Sequence, residues 1–245
     1  NSYIKINEET TGLQTYDRLL EEFATSKFAP RAMLRQGLVH YNANRNDQAL
    51  PKLKGVVQKY PNTQEAKQAV ATAKLVYVDE GKVSEYAAWA RSLDFVEVTD
   101  TELDNACFEA ADRKYIEGKT DMAINGYEAY LKEFPDGLHA LNVSFNLAQL
   151  YFSKGEKEKA LPKYKVVADS NGEFTEQALT RGCELYIGKQ DYESALPYLE
   201  RLENTAEISQ NRTFAQSNLM KGYYEKKNYD QTIAYAEKVL KAPKI

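Results

Sequence analysis

Two cysteines and two histidines in 245 residues leave little material for thiol or metal chemistry. Cys107 and Cys183 have no C-x-x-C partner and are too few for a disulfide framework, so each reads as a small buried hydrophobe. His40 and His139 have no Cys, His or carboxylate at ligand spacing, so neither suits a metal ligand or a general base. Glycine (12) and proline (7) are scarce, which favours helices over turn-rich β-folds. No apolar run approaches the roughly 18 residues of a membrane-spanning helix, and the polar, acidic start of the chain lacks a signal-peptide pattern. The phosphate loops G-x-x-x-x-G-K-[ST] and G-x-G-x-x-G are absent, as is the G-x-S-x-G nucleophile elbow. No catalytic residue, cofactor site or metal site is expected. The charge is nearly balanced, 32 Lys plus Arg against 36 Asp plus Glu, which offers phosphate backbones and anionic lipid no general attraction. Nucleic acid is therefore not an expected partner, nor is direct membrane insertion of this chain. It begins at Asn1 and not at Met, so an upstream signal, lipoprotein segment or further repeat is an open expectation.

What the chain does have is self-similarity, the first thing to look for in a sequence. A-L-P-K-L from Ala49, A-L-P-K-Y from Ala160 and A-L-P-Y-L from Ala195 are nearly the same phrase. A small residue recurs twelve positions upstream: Gly37 before Ala49, Ala111 before Ala123, Ala148 before Ala160 and Cys183 before Ala195. Two closely packed helices need such a pairing. The register continues through Ala49, Tyr86, Ala123, Ala160, Ala195 and Thr232, spaced 37, 37, 37, 35 and 37 residues apart. Four positions after the small residue comes Leu53, Tyr127, Tyr164 or Leu199, so each second helix carries an apolar stripe.

Local signals punctuate these units. Tyr60-Pro61 and Phe134-Pro135 close two of them, since proline cannot continue a helix. N-T-Q-E from Asn62 and T-D-T-E from Thr99 have the spacing of a capping box. Pro51, Pro162 and Pro197 are expected in the opening turn of the second helix, where a missing amide costs little. Repeats are placed at about 30–66, 67–103, 104–140, 141–175, 176–212 and 213–245, within one domain of 1–245, with 14–29 as the second helix of a preceding unit. Lys74 and Tyr86 depart from the small-residue pattern, and Trp89 is expected to fill the space beside them.

These residues resemble tetratricopeptide repeats, whose pattern appears as Ala111, Tyr115, Gly118, Ala123, Tyr127 and Pro135, and again as Ala148, Tyr151, Gly155, Ala160 and Tyr164. The resemblance covers residues 30 to 245. It implies an all-α, right-handed superhelical solenoid of about six α-α hairpins plus one leading helix, and a non-catalytic scaffold or adaptor that binds a protein or peptide partner in a concave groove lined by the first helices. Carried over position by position, the groove residues are Leu34, Arg35, Tyr41, Phe108, Glu109, Asp112, Phe145, Asn146, Gln149, Phe152, Arg181, Glu184, Asn218, Lys221 and Tyr224. The same aromatics equally suit wedging between units. A clamp for a chaperone's C-terminal carboxylate is disfavoured: the five positions hold Phe108, Asp112, Asn146, Gln177 and Arg181, of which two match, and Asp112 would repel the ligand.

The alternatives are a carbohydrate- or peptidoglycan-binding module using the groove aromatics, most of the 18 tyrosines reading as core, and a regulatory domain of a larger protein. The aromatic-proline closures and 37-residue spacing resemble bacterial cell-envelope members of the family, which implies a periplasmic or outer-membrane-associated location, a cytoplasmic one being the alternative. Self-association through uncapped solenoid ends is a further expectation.

Overall fold

The computed structural model describes residues 9–241. Residues 1–8 and 242–245, the ends of the expected 1–245 domain and of its last repeat, lie outside the described residues. Among those described there are thirteen helices and no strand: α1 (Glu9–Glu22), α2 (Ala29–Asn42), α3 (Asn46–Lys59), α4 (Gln64–Asp79), α5 (Val83–Arg91), α6 (Asp100–Ile116), α7 (Thr120–Glu133), α8 (Ala140–Ser153), α9 (Lys157–Ala168), α10 (Thr175–Gly188), α11 (Tyr192–Thr205), α12 (Ser209–Glu225) and α13 (Tyr229–Lys241). The fold is of the all-α helical-repeat class. By their contacts the residues form two compact units that divide between Glu117 and Gly118. In the first unit α2 pairs with α3, α4 packs on both, and α5 and α6 follow on α4; in the second, every helix from α7 to α13 packs on its neighbour in sequence.

The hairpins close because the sequence supplies a tight turn and small residues at the same places. Asn44, Gly81, Gly118, Gly155, Gln190 and Lys227 all have φ between +54° and +78°. They follow one another at 37, 37, 37, 35 and 37 residues, the spacing of the Ala49 register. Beside each of five of these turns an amide reaches back to the last turn of the preceding helix: Arg45 to His40, Lys82 to Tyr77, Glu156 to Tyr151, Asp191 to Tyr186 and Asn228 to Tyr223. This left-handed termination satisfies carbonyls that the helix end would otherwise leave open and reverses the chain into the second helix. There Ala49, Ala123, Ala160 and Ala195 are fully buried, as are Leu53, Tyr127, Tyr164 and Leu199. The packing is tightest at Gly37, where a Cβ would lie 2.7 Å from Leu53 Cδ2. In the less regular hairpin, Tyr86 is buried and its ring packs 6.0 Å from Tyr77 and 6.2 Å from Trp89, which is half-buried. Cys107 and Cys183 are buried and form no disulfide.

Three local expectations are corrected. Pro51, Pro162 and Pro197 are not in the opening turn but at the sixth residue of α3, α9 and α11. All three are exposed, so the carbonyl each deprives of a helical bond can turn to water, and the helix starts earlier than the prolines suggested. The cap before α4 is Thr63, whose hydroxyl accepts from the Ala66 amide; Asn62 takes a left-handed turn conformation instead. The leading helix ends at Glu22 and not near 29, because the Ser26 hydroxyl accepts from the Phe28 amide and Pro30 opens α2. At Thr99 the expected capping box is present, with Glu102.

Candidate functional site

The expected groove residues fall in both units. In the first, Arg35 and Tyr41 lie on α2 and are half-buried, Leu34 beside them is buried, and Phe108 and Asp112 on α6 are half-buried while Glu109 is exposed. The Tyr41 phenol is held above its usual range by burial and by Asp79 of α4, with Arg113 of α6 pulling the other way. Helix α4, which carries Asp79, packs on both α2 and α6.

The second unit gathers more. On α8, the Asn146 amide donates to the Tyr127 hydroxyl at 3.2 Å and to Asn142 at 3.0 Å. Gln149 accepts from the Tyr164 hydroxyl at 2.7 Å. Both side chains thus tie α8 to a second helix and are half-buried. The Phe152 ring packs edge-on against Tyr164, 6.4 Å between centroids. Arg181 of the next first helix, α10, lies over the Phe152 ring, its guanidinium 5.4 Å from the centroid and 2.8 Å from Glu184. Arg181 is exposed, and its charge is reinforced by the hydrogen bond to Glu184. Lys221 and Tyr224 on α12 are exposed. A guanidinium stacked on an aromatic ring and paired with a carboxylate offers a partner a flat apolar surface and charges of both signs.

Besides Leu34, two of the expected groove residues are core and not surface. Phe145 is 5% exposed, stacked at 4.7 Å on Phe174 from the incoming loop. Asn218 is 7% exposed and its amide donates to the Phe214 carbonyl. Neither can meet a partner in this state. The Cys183 thiol, fully buried, is pushed up to about 12 by burial and is no nucleophile. Among the described residues no group of three His, Cys, Asp or Glu is placed to hold a metal ion, and no helix is long and apolar enough to cross a membrane.

Tetratricopeptide-repeat family models match residues 31–63 and 108–173. The chain carries tetratricopeptide repeats. No curated protein sequence matches it. Its fold is similar to solved structures of low identity, among them PilF of Pseudomonas aeruginosa (12% identity, 86% of this chain and 90% of that one, TM-score 0.41), the C-terminal part of a TPR repeat-containing protein of Cytophaga hutchinsonii (16%, 98% and 92%, 0.42) and BtubC of P. vanneervenii (15%, 86% and 91%, 0.39). Tetratricopeptide repeats generally mediate protein–protein interaction.

Sequence reasoning missed the polar contacts that join one tetratricopeptide repeat to the next. Arg201 of α11 donates to the Ala168 and Ser170 carbonyls and to Asn171 at the end of α9. Glu176 of α10 accepts from the Glu207 and Ile208 amides and from Asn211 at the start of α12. Tyr151 and Tyr223 bond Glu128 and Glu200. Only this last pair left a signal in the chain, a carboxylate 23 residues before a repeat tyrosine.

Proposed function

We propose that the protein is a non-catalytic scaffold or adaptor that binds a peptide or helix of a protein partner along the first helices of its second unit. The observation that carries this reading is the exposed Arg181, lying over Phe152 of the neighbouring first helix while paired with Glu184. Aromatic and arginine side chains are the residues that most often dominate binding energy at interfaces. Because Gln149 and Phe152 are also held by Tyr164, this surface is fixed before a partner arrives, which lowers the ordering cost of binding. On the sequence resemblance alone, we place the protein at the cell envelope; recovery from the cytoplasmic fraction of the source cell would remove that placement.

The binding reading is tested with a photo-crosslinking amino acid at position 152, compared with the same group at Val166, which is exposed on α9. A discrete protein captured from position 152 but not 166, and lost with Arg181→Glu in a chain of unchanged helicity, is the expected result. Equal labelling from both positions overturns it.

A further inference from the structure

The last described helix, α13, packs on α12 but buries few of its own side chains. Tyr235 is its one buried residue, whereas α11 buries Ala195, Leu196, Leu199 and Leu202 and α12 buries Ala215, Asn218, Leu219 and Gly222. Tyr229, Ile233 and Leu240 are exposed, the Tyr229 ring lying edge-on to Tyr224 of α12 with centroids 6.2 Å apart. The polar ties of α13 instead converge on one carboxylate. Glu203 of α11, its side chain 10% exposed, accepts from the Tyr235 hydroxyl at 2.8 Å and from the Lys238 ammonium at 2.7 Å, both on α13. It also accepts from the Gln216 amide of α12 at 3.2 Å. The Tyr235 ring stacks on Tyr223 of α12, with centroids 5.7 Å apart, and the Lys238 ammonium lies 4.3 Å from the Tyr235 ring. The neighbouring carboxylate, Glu200, is taken by Tyr223. Helix α1 also buries one residue, Gly12, but its ties are spread over Glu9 with Arg45 and Asp17 with Gln36 and Lys52.

We propose that α13 is a separately opening element latched by Glu203, on which donors from α12 and α13 converge beside a single buried tyrosine. Charge-assisted bonds to a nearly buried carboxylate are worth more than exposed ones, and an element with few buried apolar contacts opens locally before the domain unfolds. Removing the negative charge of Glu203 therefore loosens α13 while α11 and α12 keep their own apolar contacts. Opening uncovers the Tyr223 ring.

Hydrogen exchange followed by mass spectrometry on the 245-residue chain tests this, with Glu203→Gln compared against wild type and against Glu237→Gln on the same helix. The expected result is that Glu203→Gln speeds exchange of the α13 amides by roughly tenfold or more, with α10–α12 and α2–α5 unchanged and Glu237→Gln without effect. Tyr235→Phe, which removes one donor and keeps the ring stack, gives an intermediate acceleration confined to α13. Unchanged α13 exchange in Glu203→Gln, or equal acceleration through α10, α11 and α12, overturns the latch.

Discussion

Tyr151 on α8 donates its hydroxyl to the carboxylate of Glu128 on α7, the second helix of the preceding hairpin, across 23 residues of chain. The bond recurs at the same separation between Tyr223 and Glu200, and in the first unit Lys54 reaches the Tyr77 hydroxyl at that separation. At the joint between these two tyrosines the equivalent position is Lys163, and Tyr186 there stacks on Tyr198 at 5.9 Å. Tyr77, Tyr151 and Tyr223, each near the end of a first helix, thus fasten their repeats to the preceding one, whereas Tyr186 stacks within its own hairpin. Tyr151→Phe should lower stability by about 1 kcal/mol, the net worth of one such bond, in urea unfolding at neutral pH, and Tyr223→Phe should do the same. No loss in either variant would show that the bond merely replaces one to water.

Alkali should unfold the protein through these phenols. Burial, and then Glu200, pushes Tyr223 up to about 12; burial, and then Asp169, does so for Tyr198, and burial for Tyr164, which is fully buried. Tyr151 and Tyr235 are raised in the same way, by burial first and then by Glu128 and Glu203. A phenol raised above its unfolded value of about 10 contributes stability that is complete below that pH and is lost as pH climbs through the folded value. Loss of helical circular dichroism should therefore coincide with the rise in tyrosinate absorbance of these residues, between about pH 10 and pH 12. Full tyrosine ionisation with the helices intact would contradict it.

Two buried glycines should respond in opposite directions to the same change. At Gly182, in the interior of α10, an added Cβ meets nothing within 4 Å, and the residue borders a cavity of about 10 Å³ lined by Leu161, Ala178, Leu179 and Tyr198 among others. Gly182→Ala should stabilise by about 1 kcal/mol, because alanine restricts the unfolded chain and favours helix. At Gly37 the Cβ would press on Leu53, which is fully buried. Gly37→Ala should cost about 1–3 kcal/mol, overpacking exceeding the same helix preference. Thermal unfolding midpoints moving in the same direction for both variants would refute the packing account.

The repeat was legible because its signals are local and recur. Glycine or asparagine at four of the six left-handed turns, and alanine five residues later in four hairpins, mark the 37-residue period directly in the chain. Gln190 and Lys227 fill the same turn conformation without advertising it, and were readable only by counting from their neighbours. The candidate site was legible only in part, because a position on a first helix does not say what will cover it. Phe145 has the register of a groove residue, yet Phe174, arriving from the loop of the next hairpin, stacks on it. Arg181 has the same kind of register and stays exposed, with Phe152 beneath it. Contacts made by charged residues, such as Arg201 on the Ser170 carbonyl, look identical in sequence to solvated surface.

Acid should loosen the joint at which Glu176 of α10 holds the start of α12. Burial alone would raise this carboxyl, but hydrogen bonds from Asn211 and from the Glu207 and Ile208 amides, with Arg212 nearby, bring it below the usual carboxylate range. A depressed carboxyl contributes stability that is present above its unfolded value of about 4.3 and is lost as pH falls through the folded one. Glu176→Gln keeps the size and one acceptor while removing the charge. It should cost about 1–2 kcal/mol at neutral pH, the range for bonds to a charged group that is partly exposed. The difference between wild type and variant should then narrow as the pH is lowered to about 3, because protonated wild type resembles the amide. Urea midpoints of the two proteins at pH 7 and at about pH 3 measure this convergence. A gap of equal size at both values would mean that Glu176 acts by shape alone, and that the start of α12 is indifferent to the charge placed against it.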